Sequence, residues 1–177
     1  MSERSWLFLI PQVPATPSSL RVMVWRRLRE AGAAGLGGGV WVLPQGDAQE
    51  AVVREIVREV AAGGGGSILL SGSPLEPTTE DDLIARFKAD RDQEYAEFCS
   101  QCLDYAHQIR TELVAGNFTV AGLQENKTDL RRLEHSLHKI RSRDFYTGDK
   151  SGDADACIEE CRGALETYAG RIAGKVR

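Results

Sequence analysis

The first 75 residues alternate between short apolar runs and amphipathic stripes. Residues 6–10 form a continuous apolar run that ends before Pro11, a pattern typical of a central strand covered on both faces. Two short apolar segments around Gly37–Gly39 predict a β-hairpin. The predicted elements are a strand at 6–10, a helix at about 18–31, strands at 33–36 and 40–43, a helix at 49–62 and a strand at 67–70.

This order of elements is the βαββαβ order of a ferredoxin-like domain. Pro74 and Pro77 mark a boundary, and beyond them the hydrophobic periodicity is helical. Three helices are predicted, at about 79–114, at 119–142, and from Ser151 or Asp153 onwards. The sequence therefore predicts an α+β protein, with a ferredoxin-like domain over residues 1–75 and a helical domain over 76–177. Short links favour antiparallel packing of the three helices.

A charged residue interrupts the apolar stripe of the first long helix. Arg91 occupies a position on the apolar face, and Glu94 follows it three residues later. Buried charge costs free energy unless it is paired. Two interpretations stay open: a structural Arg91–Glu94 ion pair or an arginine that reaches the bundle end, and a site that binds an anion or carries catalysis.

The most basic stretch of the chain lies at the end of the second long helix. Residues 131–143 contain five Lys or Arg residues and one acidic residue, Glu134. Cations at a helix C-terminus are favoured by the helix dipole. A solvated basic face and contact with phosphate or another oxyanion both explain this pattern. The candidate anion-binding residues from the two helices are Arg91, Glu94, Lys139, Arg141 and Arg143.

Charge and hydropathy narrow the class of protein. The net charge is −4; residues 1–75 hold seven basic and six acidic residues, and residues 76–177 hold fifteen and twenty. Neither half is a basic nucleic-acid module, so any polyanion site must be a local patch. No apolar run approaches the roughly 18 residues of a membrane span, and the N-terminal segment lacks the features of a signal peptide. We therefore expect a cytoplasmic protein without membrane contact.

The four cysteines form two helical pairs. Cys99 and Cys102 are three residues apart, and Cys157 and Cys161 are four apart, so each pair lies on one helical face. In the cytoplasm all four are expected to stay reduced. We interpret them as buried structural thiols, since zinc ribbons place their ligands on turns and cysteine is a common core residue. A metal site and thiolate chemistry are the alternatives. The prediction is that the protein holds no metal or cofactor.

Segments spread in order over nearly the whole chain carry a family resemblance. They are Trp6–Pro11, Arg21–Leu28, Gly39–Pro44, Ile84–Phe87, Arg91–Asp92 with Glu94–Tyr95, Asn117–Thr119 and Lys139–Phe145. Together they resemble the N-terminal domain of the ChrB family of regulators, which are encoded with bacterial chromate-resistance transporters. The first half also resembles the ferredoxin-like domain of the phenylacetate repressor PaaX and of related CRISPR-associated endonucleases. Those nucleases use an aspartate at the end of the first strand, where this chain has Pro11 and Gln12, so nuclease activity is not implied.

The resemblance implies a chromate-responsive regulator or accessory protein of chromate resistance, which we expect to be non-enzymatic. Its ligand would be an oxyanion such as chromate, a tetrahedral dianion that suits arginine donors. Two other classes stay open: a thiol- or metal-dependent reductase that uses the cysteine pairs, and an interaction module that forms a homodimer through its sheet edge. Operator DNA is a further implied partner. The candidate DNA-binding residues are Arg21, Arg26, Arg29, Arg131 and Arg132.

Overall fold

Strands occupy the first part of the chain and long helices the rest. The computed structural model describes residues 4–16 and 18–175. The elements are β1 (Trp6–Gln12), α1 (Ser18–Glu30), β2 (Ala34–Gly37), β3 (Val40–Pro44), α2 (Asp47–Ala62), β4 (Gly66–Gly72), α3 (Pro77–Val114), α4 (Val120–Ser142) and α5 (Ser151–Lys175). By its contacts the chain divides into two compact units, Met1–Phe87 and Lys88–Arg177, and the division falls inside α3. The predicted domain boundary at residue 75 stays a prediction.

The four strands form one antiparallel sheet in the order β2-β3-β1-β4. The central strand, β1, pairs with β3 as far as Leu9 and with β4 as far as Gln12. The predicted end before Pro11 is therefore wrong by two residues. Beyond Leu9, β1 pairs with β4 alone. Pro11 lacks an N–H group to donate, and the strand accommodates it because one side of β1 has no pairing strand at this position. The α+β class with an antiparallel sheet is confirmed.

The hairpin between β2 and β3 depends on three successive glycines. Gly37, Gly38 and Gly39 have φ values of 89°, 58° and 80°. Side chains with a Cβ rarely adopt this left-handed region, whereas glycine enters it without steric cost. The glycine turn predicted from the sequence is confirmed.

The core of the first unit lies between one face of the sheet and helices α1 and α2. Its buried residues alternate along β1 and recur every third or fourth position along the helices, as the two periodicities require. They are Leu7, Leu9, Val24, Leu28, Ala33, Leu43, Val53, Ile56 and Val60. On the opposite face, the indole ring of Trp6 stacks on Phe87 with 5.7 Å between ring centroids. Trp6 is fully buried as a result.

The core of the second unit is formed by helices α3, α4 and α5. The Tyr105 hydroxyl on α3 donates a hydrogen bond to the Asn126 carbonyl on α4, at 3.0 Å. Nearer the start of α3, Tyr95 bonds Asp144, which lies just beyond the end of α4. The two helices therefore run antiparallel. The buried core residues are Tyr95, Phe98, Cys102, Tyr105, Ile109, Leu130, Leu137, Ile140, Ala154, Ile158, Cys161 and Tyr168.

Candidate functional site

A buried arginine lies at the centre of the candidate site. The Arg91 side chain is 3% exposed, and its Nη1 lies 2.9 Å from Oε2 of Glu94. The Arg91–Glu94 pair, one of the two interpretations of the sequence pattern, is therefore confirmed as an ion pair. A charge-assisted contact of this kind is needed here, because an unpaired buried guanidinium would cost several kcal/mol (about 3–5 when one partner of a buried pair is removed).

A second arginine reaches the same carboxylate from the end of α4. Arg143 is the C-cap residue of that helix. Its Nε and Nη2 donate hydrogen bonds to Glu94 Oε2 at 3.2 and 2.9 Å. Two guanidinium groups, those of Arg91 and Arg143, thus converge on one carboxylate oxygen. We call Arg91, Glu94, Arg143, Tyr95 and Asp144 the arginine cluster.

The other half of the arginine cluster is a tyrosine–carboxylate pair. The Tyr95 hydroxyl donates a hydrogen bond of 2.9 Å to Asp144 Oδ2. Burial and this hydrogen bond raise the pKa of Tyr95 to about 12. Asp144 Oδ1 is buried and accepts no hydrogen bond from the described residues. Two cations and two carboxylates therefore share the cluster, and its formal charges balance.

The other two predicted anion-site residues lie outside the arginine cluster. Arg141 is exposed and donates a hydrogen bond of 2.5 Å to Asp155 on α5. Lys139 is exposed on α4. The structure thus brings Arg91, Glu94 and Arg143 together, whereas Arg141 pairs with Asp155 and Lys139 is exposed. Whether any of the five residues binds an anion stays a prediction.

Tyr95 is the member of the cluster that sequence reasoning missed. The hydrophobic pattern places Tyr95 in the apolar stripe, and it is indeed 1% exposed. A signal was nevertheless present, because a buried tyrosine hydroxyl requires a partner. Asp144, which directly follows the basic stretch, offers a carboxylate as that partner.

The candidate DNA-binding residues lie on two helices, α1 and α4. On α1, Arg21 and Arg26 are exposed, and the Arg29 guanidinium lies 5.9 Å from the ring centroid of Trp25, which is itself 56% exposed. This surface combines cations with an aromatic ring, as nucleic-acid interfaces often do.

The second surface lies on α4. Arg131 and Arg132 are both exposed there, and Arg132 pairs with Asp129 at 2.7 Å. The two surfaces belong to different units of the chain. Their DNA-binding role stays a prediction.

The cysteines differ from the expectation. Cys99 on α3 and Cys157 on α5 form a disulfide, with 5.6 Å between their Cα atoms. The prediction that all four cysteines stay reduced is wrong for this pair, because the packing of α3 against α5 brings these two half-buried positions together. Cys102 and Cys161 are buried free cysteines, as predicted. The Cys161 thiol donates a hydrogen bond to the Cys102 carbonyl at 3.4 Å.

Neither a metal centre nor a membrane helix occurs in the part of the chain that the structure describes. Over residues 4–16 and 18–175, no three His, Cys, Asp or Glu side chains are grouped to hold a metal ion. In the same residues no helix combines the length and apolarity that a membrane crossing requires. That the protein holds no metal stays a prediction, which elemental analysis of the purified protein tests.

Comparison with known proteins identifies the family. The family model described as "Protein ChrB, N-terminal" matches residues 21–177. The chain belongs to the ChrB N-terminal domain family. The resemblance predicted from the sequence is thus confirmed, and the matched range spans the positions of the arginine cluster and of the four cysteines.

A curated member of the ChrB family extends the comparison. Protein ChrB of Cupriavidus metallidurans is 25% identical over 166 residues, which cover 93% of this chain and 47% of the relative. The chain thus spans about half the length of that ChrB relative. No solved structure matches the chain.

Proposed function

We propose that this chain acts in chromate resistance, as a regulator or accessory protein that responds to an oxyanion without catalysing a reaction. Membership of the ChrB family supports the role in chromate resistance. The observation that supports oxyanion binding is the convergence of Arg91 and Arg143 on a single oxygen of Glu94. We further propose that the βαββαβ unit is ferredoxin-like, that the protein is cytoplasmic, and that it forms a homodimer.

In this proposal the oxyanion competes with Glu94. One carboxylate oxygen holds both guanidinium groups, whereas a tetrahedral dianion offers four oxygens over which the same donors can spread. Arginine is suited to such an exchange, because its planar fork binds oxyanions in a bidentate manner and keeps its charge.

Displacement of Glu94 gives the binding a structural consequence. Glu94 links α3 to Arg143 at the end of α4. When the anion replaces the carboxylate, this link between the two helices changes from a direct ion pair to a bridge through the ligand. We propose that this local exchange is the signal that the regulator transmits.

Thermal unfolding with sulfate, a non-oxidising analogue of chromate, tests the proposal. A ligand that binds only the folded chain raises the melting temperature, so sulfate and chromate should raise it above the value in chloride at equal ionic strength. Glu94→Gln should lower the melting temperature without anion, because it removes the carboxylate on which both arginines converge and leaves the cluster with one excess positive charge. The same variant should show a larger rise with sulfate, since the competing carboxylate is gone.

Arg143→Gln should abolish the rise, whereas Arg162→Gln is the matched control. Arg162 makes the same two-donor contact, from Nε and Nη2 at 3.0 and 2.7 Å, to one oxygen of Glu134, but on an exposed surface. A rise that is equal in chloride and sulfate, or that persists in Arg143→Gln, contradicts oxyanion binding at the arginine cluster.

A further inference from the structure

The four cysteines form two layers between α3 and α5, and the layers differ in their access to solvent. In the outer layer, the half-buried Cys99 and Cys157 form the disulfide and together line an open groove of about 400 Å³. In the inner layer, Cys102 and Cys161 are 2% and 0% exposed and are not joined. The oxidised pair is therefore the pair that a molecule from solution can reach.

The groove beside the outer layer has the features that thiol–disulfide exchange requires. The attacking thiolate must reach a disulfide sulfur directly, and access therefore controls the rate. Lys150 lines the groove with both cysteines, and a cation beside a cysteine favours its thiolate form. Ser100 and Asp153 add polar lining, and the exposed side chain of Leu103 adds an apolar wall.

We propose that Cys99–Cys157 is a thiol–disulfide exchange site whose substrate is a low-molecular-weight thiol of the glutathione class. A thiolate attacks one sulfur, forms a mixed disulfide with it and releases the other cysteine as a thiolate, which takes up a proton. A second substrate thiolate attacks the sulfur that came from the first substrate molecule. This step releases the substrate disulfide and the second cysteine. Two substrate thiols thus lose two electrons, and the protein disulfide gains them to become two thiols.

The inner layer provides a contrast within the same molecule. The hydrogen bond between the two thiols raises the pKa of Cys102 and lowers the pKa of Cys161. Both sulfurs are nevertheless buried, and a thiol that solvent molecules do not reach is a poor nucleophile toward them. The inner pair is therefore expected to remain reduced and unreactive while the outer pair exchanges reversibly with the small thiol and its disulfide. In the cytoplasm, the compartment predicted from the sequence, disulfides are usually transient and catalytic or redox-sensing, which agrees with an exchange site.

Redox titration of the whole folded chain tests the proposal. The chain is equilibrated in buffers of reduced and oxidised glutathione, and free thiols are alkylated and located by peptide mass spectrometry. Labelling of Cys99 and Cys157 should rise together as the buffer becomes more reducing, while circular dichroism shows that the helices persist. Cys102 and Cys161 should become labelled only after denaturation.

A trapping variant identifies the exchange intermediate. In Cys157→Ser, Cys99 should form a mixed disulfide with oxidised glutathione at least about tenfold faster than Cys102 of the same molecule, because only Cys99 faces the groove. Lys150→Gln should slow this reaction without changing the fold, since the variant removes the cation from the groove. Cys161→Ala is the control that keeps the outer pair, and its outer disulfide should titrate as in the unmodified chain.

Three results would overturn the exchange site. The first is an outer disulfide that survives excess glutathione until urea unfolds the chain, which indicates a purely structural bond. The second is equal labelling of Cys99 and Cys102 in the native Cys157→Ser variant. The third is a purified chain with four free thiols that oxidised glutathione does not convert to the Cys99–Cys157 disulfide.

Discussion

At the scale of single residues, Tyr95 holds the end of α4 in place. Its hydroxyl donates to Asp144, the residue that follows Arg143. Burial and the hydrogen bond to Asp144 raise the pKa of Tyr95, and the nearby guanidinium groups of Arg141 and Arg91 oppose this rise. The phenol therefore remains a neutral donor throughout the physiological pH range. By fixing Asp144 it also fixes the backbone that carries Arg143 to Glu94.

We expect the stability of the protein to fall as the pH rises from about 10 to about 12. The pKa of Tyr95 is raised from 10.0 to about 12 in the folded chain, so its contribution is fully present below pH 10 and disappears as the pH approaches 12. Urea unfolding at a series of pH values measures the fall, which should be smaller in Tyr95→Phe. Phenolate absorbance should show that one fewer tyrosine ionises at high pH in that variant than in the unmodified chain. If the free energy of unfolding falls equally with pH in the unmodified chain and in Tyr95→Phe, ionisation of Tyr95 is not the cause of the fall.

The residues of the arginine cluster could be predicted only in part. The Arg91–Glu94 pair was accessible because both residues lie on one helix at a spacing of three, where side chains meet. Arg143 is one of three alternating cations at the end of α4. The sequence could not determine which of them faces α3, because that depends on how the last turn ends and on where Asp144 finds its partner.

At the scale of elements, the N-terminus of α4 shows how a local signal defines a helix. Thr119 stands at the predicted start, and its hydroxyl oxygen accepts a hydrogen bond from the Gly122 amide at 3.0 Å. The Thr119 amide in turn donates to the buried Tyr168 hydroxyl on α5 at 3.2 Å. The cap thus joins the start of α4 to the core of the second unit.

Thr119→Ala is expected to lower the free energy of unfolding by about 1 kcal/mol, the usual cost of removing a helix cap. Thr128→Ala is the matched control on the same helix. Thr128 is exposed in the helix interior and bonds only back to the Gln124 carbonyl, and alanine has the higher helix propensity there. Urea unfolding should therefore show a decrease for Thr119→Ala and none for Thr128→Ala. Equal decreases would show that the cap has no special role.

Elements themselves were predicted better than the contacts between them. The start of α4 and its end at Ser142 agree with the prediction, whereas α3 begins at Pro77, two residues earlier than predicted. Proline suits the first position of a helix, where its missing N–H has no partner to lose. The Cys99–Cys157 bond joins positions 58 residues apart. Helical spacing assigns each cysteine to a face, but the partner of that face depends on the packing of α3 against α5.

At the scale of the whole molecule, basic surfaces coexist with a net negative charge. The chain carries a net charge of −4, while the candidate DNA-binding arginines form one patch on α1 and another on α4. Repulsion between the net charge and a polyanion acts at long range and is screened by salt. Attraction between the protein and the DNA phosphates must therefore come from the arginines of the two patches. If the protein recognises operator DNA, the effect of removing each patch should be measurable by itself.

Binding to a DNA fragment from the protein's own promoter region is expected to weaken steeply as salt increases, because each phosphate that an arginine neutralises releases counterions. Arg26→Ala combined with Arg29→Ala should reduce the slope of log affinity against log salt by about two, roughly one for each arginine removed from a phosphate. Arg131→Ala combined with Arg132→Ala tests the α4 patch in the same way. Arg54→Ala is the matched control, since Arg54 is an exposed arginine of α2 outside both patches, where it pairs with Glu50.

Fluorescence anisotropy over a salt series measures the DNA affinity of the unmodified chain and of the three variants. An affinity that does not change with salt would reject an electrostatic mode, and no binding at low salt would reject DNA recognition by this chain alone.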